Sequence, residues 1–330
     1  MGFTKQWALE ATDHILALAW SGEQIVVTPS TGMLLLLDQA GEAIAGFADH
    51  GLGNGTPAAR DGLLATCGFD GCLRLYKVTG RRIEPTHEKI LGKGWIERVK
   101  WSPDGGHLAA ALGKALFILD PRGEIAQTIP NHKTSVSDFA WNPGNPVEIA
   151  SVCGGGAQMW RIGEPEPFAR FDWGGASLLV AWSPDARWIA TADQTPSVHL
   201  YDFTRDYPLH IHGFETKVKT IGFSPDGRQL ATGGGPTVTV WNCTGKNGPE
   251  NSVPGQLRFH KADVETLAWS PKRRLLATGD NAGRLVISEA GGRPISAFED
   301  KEAITALAWS LDGESLAVGD AAGRVILFSD

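Results

Sequence analysis

The chain has 330 residues, of which 42% are hydrophobic, and a formal net charge of −7 at pH 7. This acidic balance argues against a nucleic-acid-binding protein, which normally presents a basic stripe. Four cysteines are too few for a disulfide framework, and no stretch reaches the roughly 18 apolar residues of a membrane helix. The N-terminus lacks the charged and apolar segments of a secretory signal. We therefore expect a cytoplasmic protein that binds neither nucleic acid nor a membrane.

A short pattern recurs along the chain: a hydrophobic strand ending in an aromatic residue, then Ser or Asn, usually Pro, and often Asp-Gly. Its anchoring aromatics are Trp20, Trp101, Trp141, Trp182, Phe223, Trp269 and Trp309. From Trp101 onward the steps are 40, 41, 41, 46 and 40 residues, and the first gap of 81 leaves room for a weaker member at Ala58 or Ala59. A period of about 40 to 45 residues with several strands per unit is typical of a β-propeller.

The unit around Trp182 shows how one repeat is built. Runs rich in β-branched and aromatic residues alternate with turn residues and predict four strands, which we label a, b, c and d, at residues 177–183, 188–193, 198–203 and 207–214. A small residue follows the anchor by eight positions in five units, where strand b must pack flat against its neighbour: Ala109, Ala190, Ala231, Ala277 and Ala317. Eight versions of strand c can be aligned. We therefore predict an all-β fold, a single closed eight-bladed β-propeller of four-stranded antiparallel blades spanning residues 1–330.

These residues carry a family resemblance. The anchor with its Ser-Pro-Asp-Gly turn, followed by Leu-Ala-Thr-Gly and a strand ending in Tyr201-Asp202 or Trp241-Asn242, resembles the WD-repeat family, in particular its stand-alone prokaryotic members. The family's histidine before strand a is present at His132 and His260, nine residues ahead of their anchors. The resemblance implies a propeller, with buried His–Asp networks in few blades. The resemblance gives little information about function, because one fold carries many functions.

The last repeat ends after its strand c, so its sheet lacks an outer strand. The segment at residues 3–11 has strand length and precedes the first strand a. In a WD-repeat ring the N-terminal segment fills this vacancy, which hides an open sheet edge. We therefore predict that residues 3–11 complete the last blade.

Enzyme motifs are absent: the sequence has no G-x-S-x-G, H-E-x-x-H, Walker or C-x-x-C signature. We expect no catalytic residues and no cofactor. Gly51-Leu52-Gly53-Asn54-Gly55 is interpreted as a connection between blades, and the glycines at 154–156 and 233–235 as hairpin residues that supply positive φ. His210 and His212 have a metal-like spacing, since residues two apart on a strand share a face. No third ligand is evident, and a solvated outer strand is the alternative.

Carboxylates recur at the end of strand b, at Asp193, Asp280 and Asp320, with Asp70 in a comparable turn. Together they suggest an acidic face for a basic peptide or a cation. The alternative is that each hydrogen-bonds its own turn and needs no ligand.

Four aromatic residues fall in loops rather than strands. Trp95 and Trp173 lie in connections between strand d and the next strand a, Phe69 lies in a b–c hairpin, and Phe214 precedes a strand a. In a WD-repeat ring these loops open on the narrow face. Exposed aromatics in polar surroundings are frequent interface anchors, and packing is the alternative for each.

The favoured function is a non-enzymatic protein–protein interaction scaffold that binds a peptide or partner subunit on the narrow face, because loops on a rigid scaffold carry recognition. The aromatics would anchor the partner and the carboxylates would favour Lys or Arg. The alternative is a small-molecule or metal-binding protein, which would include an enzyme, with its site at the central channel mouth.

Overall fold

The computed structural model describes residues 2–11, 13–51, 53–60, 62–203 and 208–330. Over these residues every regular element is a strand, which confirms the all-β prediction. Leu52 and Tyr207, which the sequence analysis used, lie outside the described residues. The chain divides into two compact units, Met1–Asn131 with Glu302–Asp330 and His132–Lys301. Each is described by itself, and the assignment of residues 1–330 to a single domain stays a prediction.

The first unit contains four antiparallel sheets of four strands each. One sheet joins the two ends of the chain: β1 (Thr4–Glu10), β28 (Ile304–Trp309), β29 (Ser315–Asp320) and β30 (Arg324–Ser329). The next consists of β2 (Ile15–Ser21), β3 (Gln24–Pro29), β4 (Met33–Leu37) and β5 (Ala43–Ala48). The weak second repeat forms a full sheet of β6 (Ala58–Arg60), β7 (Leu63–Cys67), β8 (Cys72–Thr79) and β9 (Arg82–Ile90). The last is β10 (Val99–Trp101), β11 (Leu108–Leu112), β12 (Ala115–Leu119) and β13 (Ile125–Ile129).

The second unit contains three sheets. Its first sheet has six strands: β14 (Asp138–Asn142), β15 (Asn145–Arg161), β16 (Ala169–Trp182), β17 (Trp188–Asp193), β18 (Ser197–Asp202) and β19 (Leu209–His212). The second has β20 (Thr220–Phe223), β21 (Gln229–Gly233), β22 (Val238–Asn242) and β23 (Gly255–Leu257). The third has β24 (Val264–Trp269), β25 (Leu275–Asp280), β26 (Arg284–Glu289) and β27 (Pro294–Glu299).

The strands therefore form seven sheets, and the prediction of eight blades is wrong. The sequence repeats anchored by Trp141 and Trp182 contribute to one six-stranded sheet. Strand β16, 14 residues long, pairs with β15 through its first half and with β17 through its second half. The strand continues through Trp173, Gly174 and Gly175, which lie outside the ladder at an irregularity between Asp172 and Ala176. A strand that serves two repeats merges their sheets.

The anchoring tryptophans tie consecutive sequence repeats together. Each of four indoles donates a hydrogen bond to the carbonyl just before the previous repeat's anchor: Trp20 to Ala308 at 2.9 Å, Trp101 to Ala58 at 3.2 Å, Trp182 to Ala140 at 3.0 Å and Trp269 to Gly222 at 3.0 Å. The bond to Ala58 identifies Ala59 as the second repeat's anchor. The five alanines eight residues after their anchors are fully buried, as expected for flat packing.

The predicted pairing of the N-terminal segment with the last sheet is confirmed. Strand β1 runs antiparallel to β30, from Thr4 opposite Ser329 to Glu10 opposite Arg324. Phe3 is buried and meets Trp309 edge to face, with ring centroids 5.3 Å apart. The Trp7 indole donates to Gln39 O at 2.8 Å. The N-terminal segment thus covers the edge of β30 and ties it to the next sheet.

Candidate functional site

An exposed aromatic pair lies on the loops of the second repeat. Trp95 is 65% exposed, and it is the one exposed member of the chain's twelve tryptophans, all of which are described. Its indole stacks on the ring of Phe69 with centroids 4.9 Å apart and an interplanar angle of 27°. The structure thus brings together two of the four predicted aromatic residues. We call this pair the Phe69–Trp95 patch.

The loop that carries Trp95 is fixed by its own backbone. The amides of Leu91 and Ile96 donate to Gly71 O and Gly68 O at 3.0 and 3.1 Å. The side chain of Ile96 is fully buried directly after the exposed indole. A Cβ on Gly71 would lie 2.0 Å from Gly92 O, so the hairpin and the loop approach each other only because Gly71 lacks a side chain. Trp95 is therefore exposed on a rigid support.

The carboxylates of Asp280 and Asp320 are buried in the turns that they begin. Asp280 accepts hydrogen bonds from the amides of Ala282 and Arg284 at 3.0 and 2.8 Å. Asp320 accepts hydrogen bonds from the amides of Ala322 and Arg324 at 3.0 and 2.8 Å. Both residues are at most 1% exposed. Their geometry is that of self-capping turns, and a partner would not reach their oxygens directly.

Asp70 belongs to a network that the sequence analysis missed. Its Oδ1 lies 2.9 Å from His50 Nδ1, and the Arg74 guanidinium donates to its Oδ2 at 3.1 Å. His50 Nε2 lies 3.1 Å from Thr66 Oγ1. Burial acts to raise the pKa of the Asp70 carboxyl, but the Cys72 amide, His50 and Arg74 hold it below its usual value. His50 stands nine residues before Ala59, so the family spacing would have found it.

A second His–Asp network lies in the sheet whose anchor is Trp269. His260 Nδ1 lies 2.9 Å from Asp280 Oδ2, and its Nε2 lies 2.8 Å from Thr278 Oγ1. The imidazole is buried. This network and the His50 network both fix turns.

Asp193 is fully buried and holds a different arrangement. Its two oxygens accept from the hydroxyls of Ser177 and Ser197 at 2.8 and 3.0 Å and pair with His199 Nδ1 at 2.7 Å. The carboxylate thus ties β16, β18 and the intervening turn together.

Trp173 is half-buried beside a cluster of imidazoles. Its indole lies 4.3 Å from the His199 ring and 5.2 Å from the His210 ring. His210 stacks on His199 at 4.5 Å with nearly parallel planes, and His212 lies 5.5 Å farther along the same strand. Among the described residues, no group of three or more His, Cys, Asp or Glu is placed to hold a metal.

This cluster predicts a pH dependence of stability. Partial burial, followed by the neighbouring imidazoles of His199 and His212, lowers the pKa of His210 below its ordinary value of 6.5, against the opposing effect of Asp193. The folded state therefore binds fewer protons than the unfolded state as pH falls from about 6.5 toward the folded pKa, and stability is lost over that window.

We expect the melting temperature to fall on acidification from about pH 7 to pH 5, and to fall less in His210→Gln. Melting curves across this range measure both slopes. Equal slopes in the two proteins would show that His210 is not the responsible group.

Phe214 is half-buried and meets Trp241 edge to face, with centroids 6.2 Å apart. It lines a cavity beside the β21–β22 hairpin. Trp173 and Phe214 thus pack against neighbours within the second unit, whereas the Phe69–Trp95 patch lies in the first.

The described part of the chain holds no helix of the length and hydrophobicity needed to cross a lipid bilayer.

Two family models match the chain. The WD domain, G-beta repeat, matches residues 206–242, and the anaphase-promoting complex subunit 4 WD40 domain matches residues 267–330. These are the segments in which the anchors Phe223, Trp269 and Trp309 begin their sheets. Both models describe WD-repeat domains, and the matches support a WD-repeat β-propeller family for this chain. The resemblance to its stand-alone prokaryotic members stays a prediction.

Two known proteins are similar to this chain, one in sequence and one in structure. Telomerase Cajal body protein 1 from Bos taurus is 23% identical over 196 residues, which span 57% of this chain and 32% of that protein's length. The crystal structure of the computationally designed Ika8 protein superposes with a TM-score of 0.84 at 15% identity, covering 99% of both chains. The second likeness concerns the fold alone.

WD-repeat domains generally serve as protein-interaction scaffolds and are typically non-enzymatic.

Proposed function

We propose that this protein is a non-enzymatic interaction scaffold that binds an extended peptide segment of a partner protein through the Phe69–Trp95 patch. The observation that carries the proposal is the indole of Trp95, which is 65% exposed although it is stacked on Phe69 and followed by the buried Ile96. An exposed aromatic side chain that forms a contiguous patch with a second ring, rimmed by polar residues, commonly marks an interaction site.

Rigidity makes this patch favourable for binding. A side chain that is already ordered loses little conformational entropy when a partner covers it. Tryptophan is among the residues that contribute most at interfaces, and removing such an anchor costs about 2–4 kcal/mol. The half-buried Phe69 ring adds apolar surface next to the indole.

Polar groups surround the patch and would orient the partner. Lys93 and Glu97 are exposed in the loop on either side of Trp95, and Asp70 follows Phe69 with part of its carboxylate accessible. A mixed polar rim around an apolar centre is the usual anatomy of an interface. We assign the buried carboxylates of Asp193, Asp280 and Asp320 the role of fixing loops, and we place Trp173 and Phe214 second to the patch as contact residues.

A peptide-display selection against the purified full chain tests this proposal. Peptides that bind the wild-type protein are expected to bind Trp95→Ala at least about 30-fold more weakly, the equivalent of 2 kcal/mol. The matched control is Leu311→Ala, which removes an apolar side chain of similar exposure, 61%, in the same unit. We expect the control to change affinity less than about twofold.

Melting temperatures of both variants should equal that of the wild type, because neither side chain is buried. Selected peptides that bind Trp95→Ala as tightly as the wild type would show that recognition occurs elsewhere.

A further inference from the structure

A small cavity of about 140 Å³ lies at the end of the β20–β23 sheet, within the second unit. Its walls come from the segment 213–218, the β21–β22 hairpin and strand β23. Hydroxyl groups and glycine backbone form much of the lining, through Thr216, Thr232, Thr237, Thr239 and the three glycines at 233–235. A cavity of this size is large enough for a small polar group.

At two positions of the repeat, the residues beside this cavity differ from those in other repeats. Eleven residues after the anchors Trp182, Trp269 and Trp309 the chain has Asp193, Asp280 and Asp320, whereas eleven residues after Phe223 it has Gly234. Nine residues before Trp269 the chain has His260, whereas nine residues before Phe223 it has Phe214. We call the repeat anchored by Phe223 the sixth repeat. Asp280 and Asp320 fill the corresponding place with a carboxylate that accepts turn amides. The sixth repeat has no carboxylate of its own there.

The glycines of this hairpin serve close approach rather than the positive φ that we expected. None of the three residues at 233–235 has a positive φ. A Cβ on Gly234 would lie 2.2 Å from Lys217 O, and a Cβ on Gly235 would lie 3.3 Å from Thr216 Oγ1. The segment 213–218 therefore lies directly against the hairpin backbone.

Several hydrogen-bond donors here have no acceptor in the described part of the chain. The hydroxyl of Thr216 is buried and unpaired. Among the described residues, no acceptor is found for the amides of Gly234, Gly235 and Thr237, of which Gly234 is buried and the other two are partly exposed. Buried donors are almost always paired, so the Gly234 amide and the Thr216 hydroxyl call for an acceptor from outside. Arg258 adds a positive charge to the lining, partly offset by Glu215.

We infer that this cavity is a binding site for a carboxylate group. A carboxylate offers two acceptor oxygens to three amides and a hydroxyl, and hydrogen bonds to an ionised acceptor are about twice as strong as neutral ones. It is also the group that Asp280 and Asp320 supply internally in their own repeats. The ligand would be the side chain of an Asp or Glu in a peptide, or a free small carboxylic acid.

The test is an amide NMR titration of the full chain with sodium acetate, at ionic strength held constant with sodium chloride. The signals of Gly234, Gly235 and Thr237 are expected to shift saturably. The amides of Ala282 and Arg284 are the internal control, because Asp280 already accepts their hydrogen bonds. A parallel titration with N-acetyl-glutamate amide asks whether a peptide-borne carboxylate also enters. Saturable shifts in either titration support the site, and the tighter ligand identifies the source.

Two variants connect the shifts to this cavity. Thr216→Val removes a hydroxyl without changing side-chain size and is expected to weaken acetate binding about tenfold. Arg258→Gln removes a lining charge and should weaken it about threefold. Shifts that match those caused by chloride, that do not saturate, or that persist unchanged in Thr216→Val would overturn the inference. Binding of inorganic phosphate without acetate would overturn the carboxylate assignment. None of these outcomes tests the Phe69–Trp95 patch, which the affinity of peptides for Trp95→Ala addresses separately.

Discussion

Removal of the first eleven residues is expected to lower the melting temperature by roughly 10 °C and to cause aggregation. Phe3 is buried against Trp309, and losing a buried Phe side chain alone costs about 3–5 kcal/mol. In a protein of this size each kcal/mol corresponds to a few degrees. The deletion also exposes the unpaired edge of β30, which is a template for association with other chains.

Thermal melting and light scattering measure the two effects of this deletion. Phe3→Ala separates them, since it removes the packing but keeps the backbone of β1, and should destabilise without aggregation. Lys5→Ala, an exposed side chain of the same strand, is the matched control and should melt within about 1 °C of the wild type. A truncated protein that is monomeric and melts with the wild type would refute the role of β1.

Asp193→Ala is expected to lower the free energy of unfolding by about 3–5 kcal/mol. The substitution leaves the hydroxyls of Ser177 and Ser197 and the imidazole of His199 buried without their shared acceptor. Removing one member of a buried polar network costs this much because the remaining groups stay desolvated and unpaired.

Urea unfolding followed by fluorescence gives the free energies for this comparison. Asp172→Ala, an exposed carboxylate in the same β16 strand, should change stability by less than about 0.5 kcal/mol. Asp193→Asn keeps one acceptor oxygen and should fall between the two. If the Asp193 and Asp172 variants unfold alike, the buried carboxylate does not organise this sheet.

Much of the fold could be predicted because one physical requirement repeats. Each anchor such as Trp182 must reach the preceding repeat, and each small residue such as Ala190 must allow flat packing, so both recur at fixed spacing. The count of sheets could not be predicted from the same pattern. It depends on whether the chain turns or stays extended between Trp173 and Ser177, and strand propensity there is weak and context-dependent.

The candidate site was predictable only in part. Loop position predicted only that Trp95, Phe69, Trp173 and Phe214 open on one face, and not that Trp95 stacks on Phe69. Sequence spacing could not distinguish an accessible carboxylate from a buried one, because Asp280 and Asp320 become inaccessible through contacts with their own turns. Nor could it reveal the cavity beside Gly234, which arises from what the sixth repeat lacks.

The extended backbone through Trp173 to Ser177 limits what this region can accommodate. Connections such as the one carrying Trp95 can lengthen at the surface without breaking a strand, which is how loops diversify and how engineered domain fusions are accepted. In β16, Trp173, Gly174 and Gly175 lie outside the ladders, and the residues on both sides of them are paired. An added segment at that point must keep both flanking pairings, which makes it a more restricted place for insertion than the neighbouring connections.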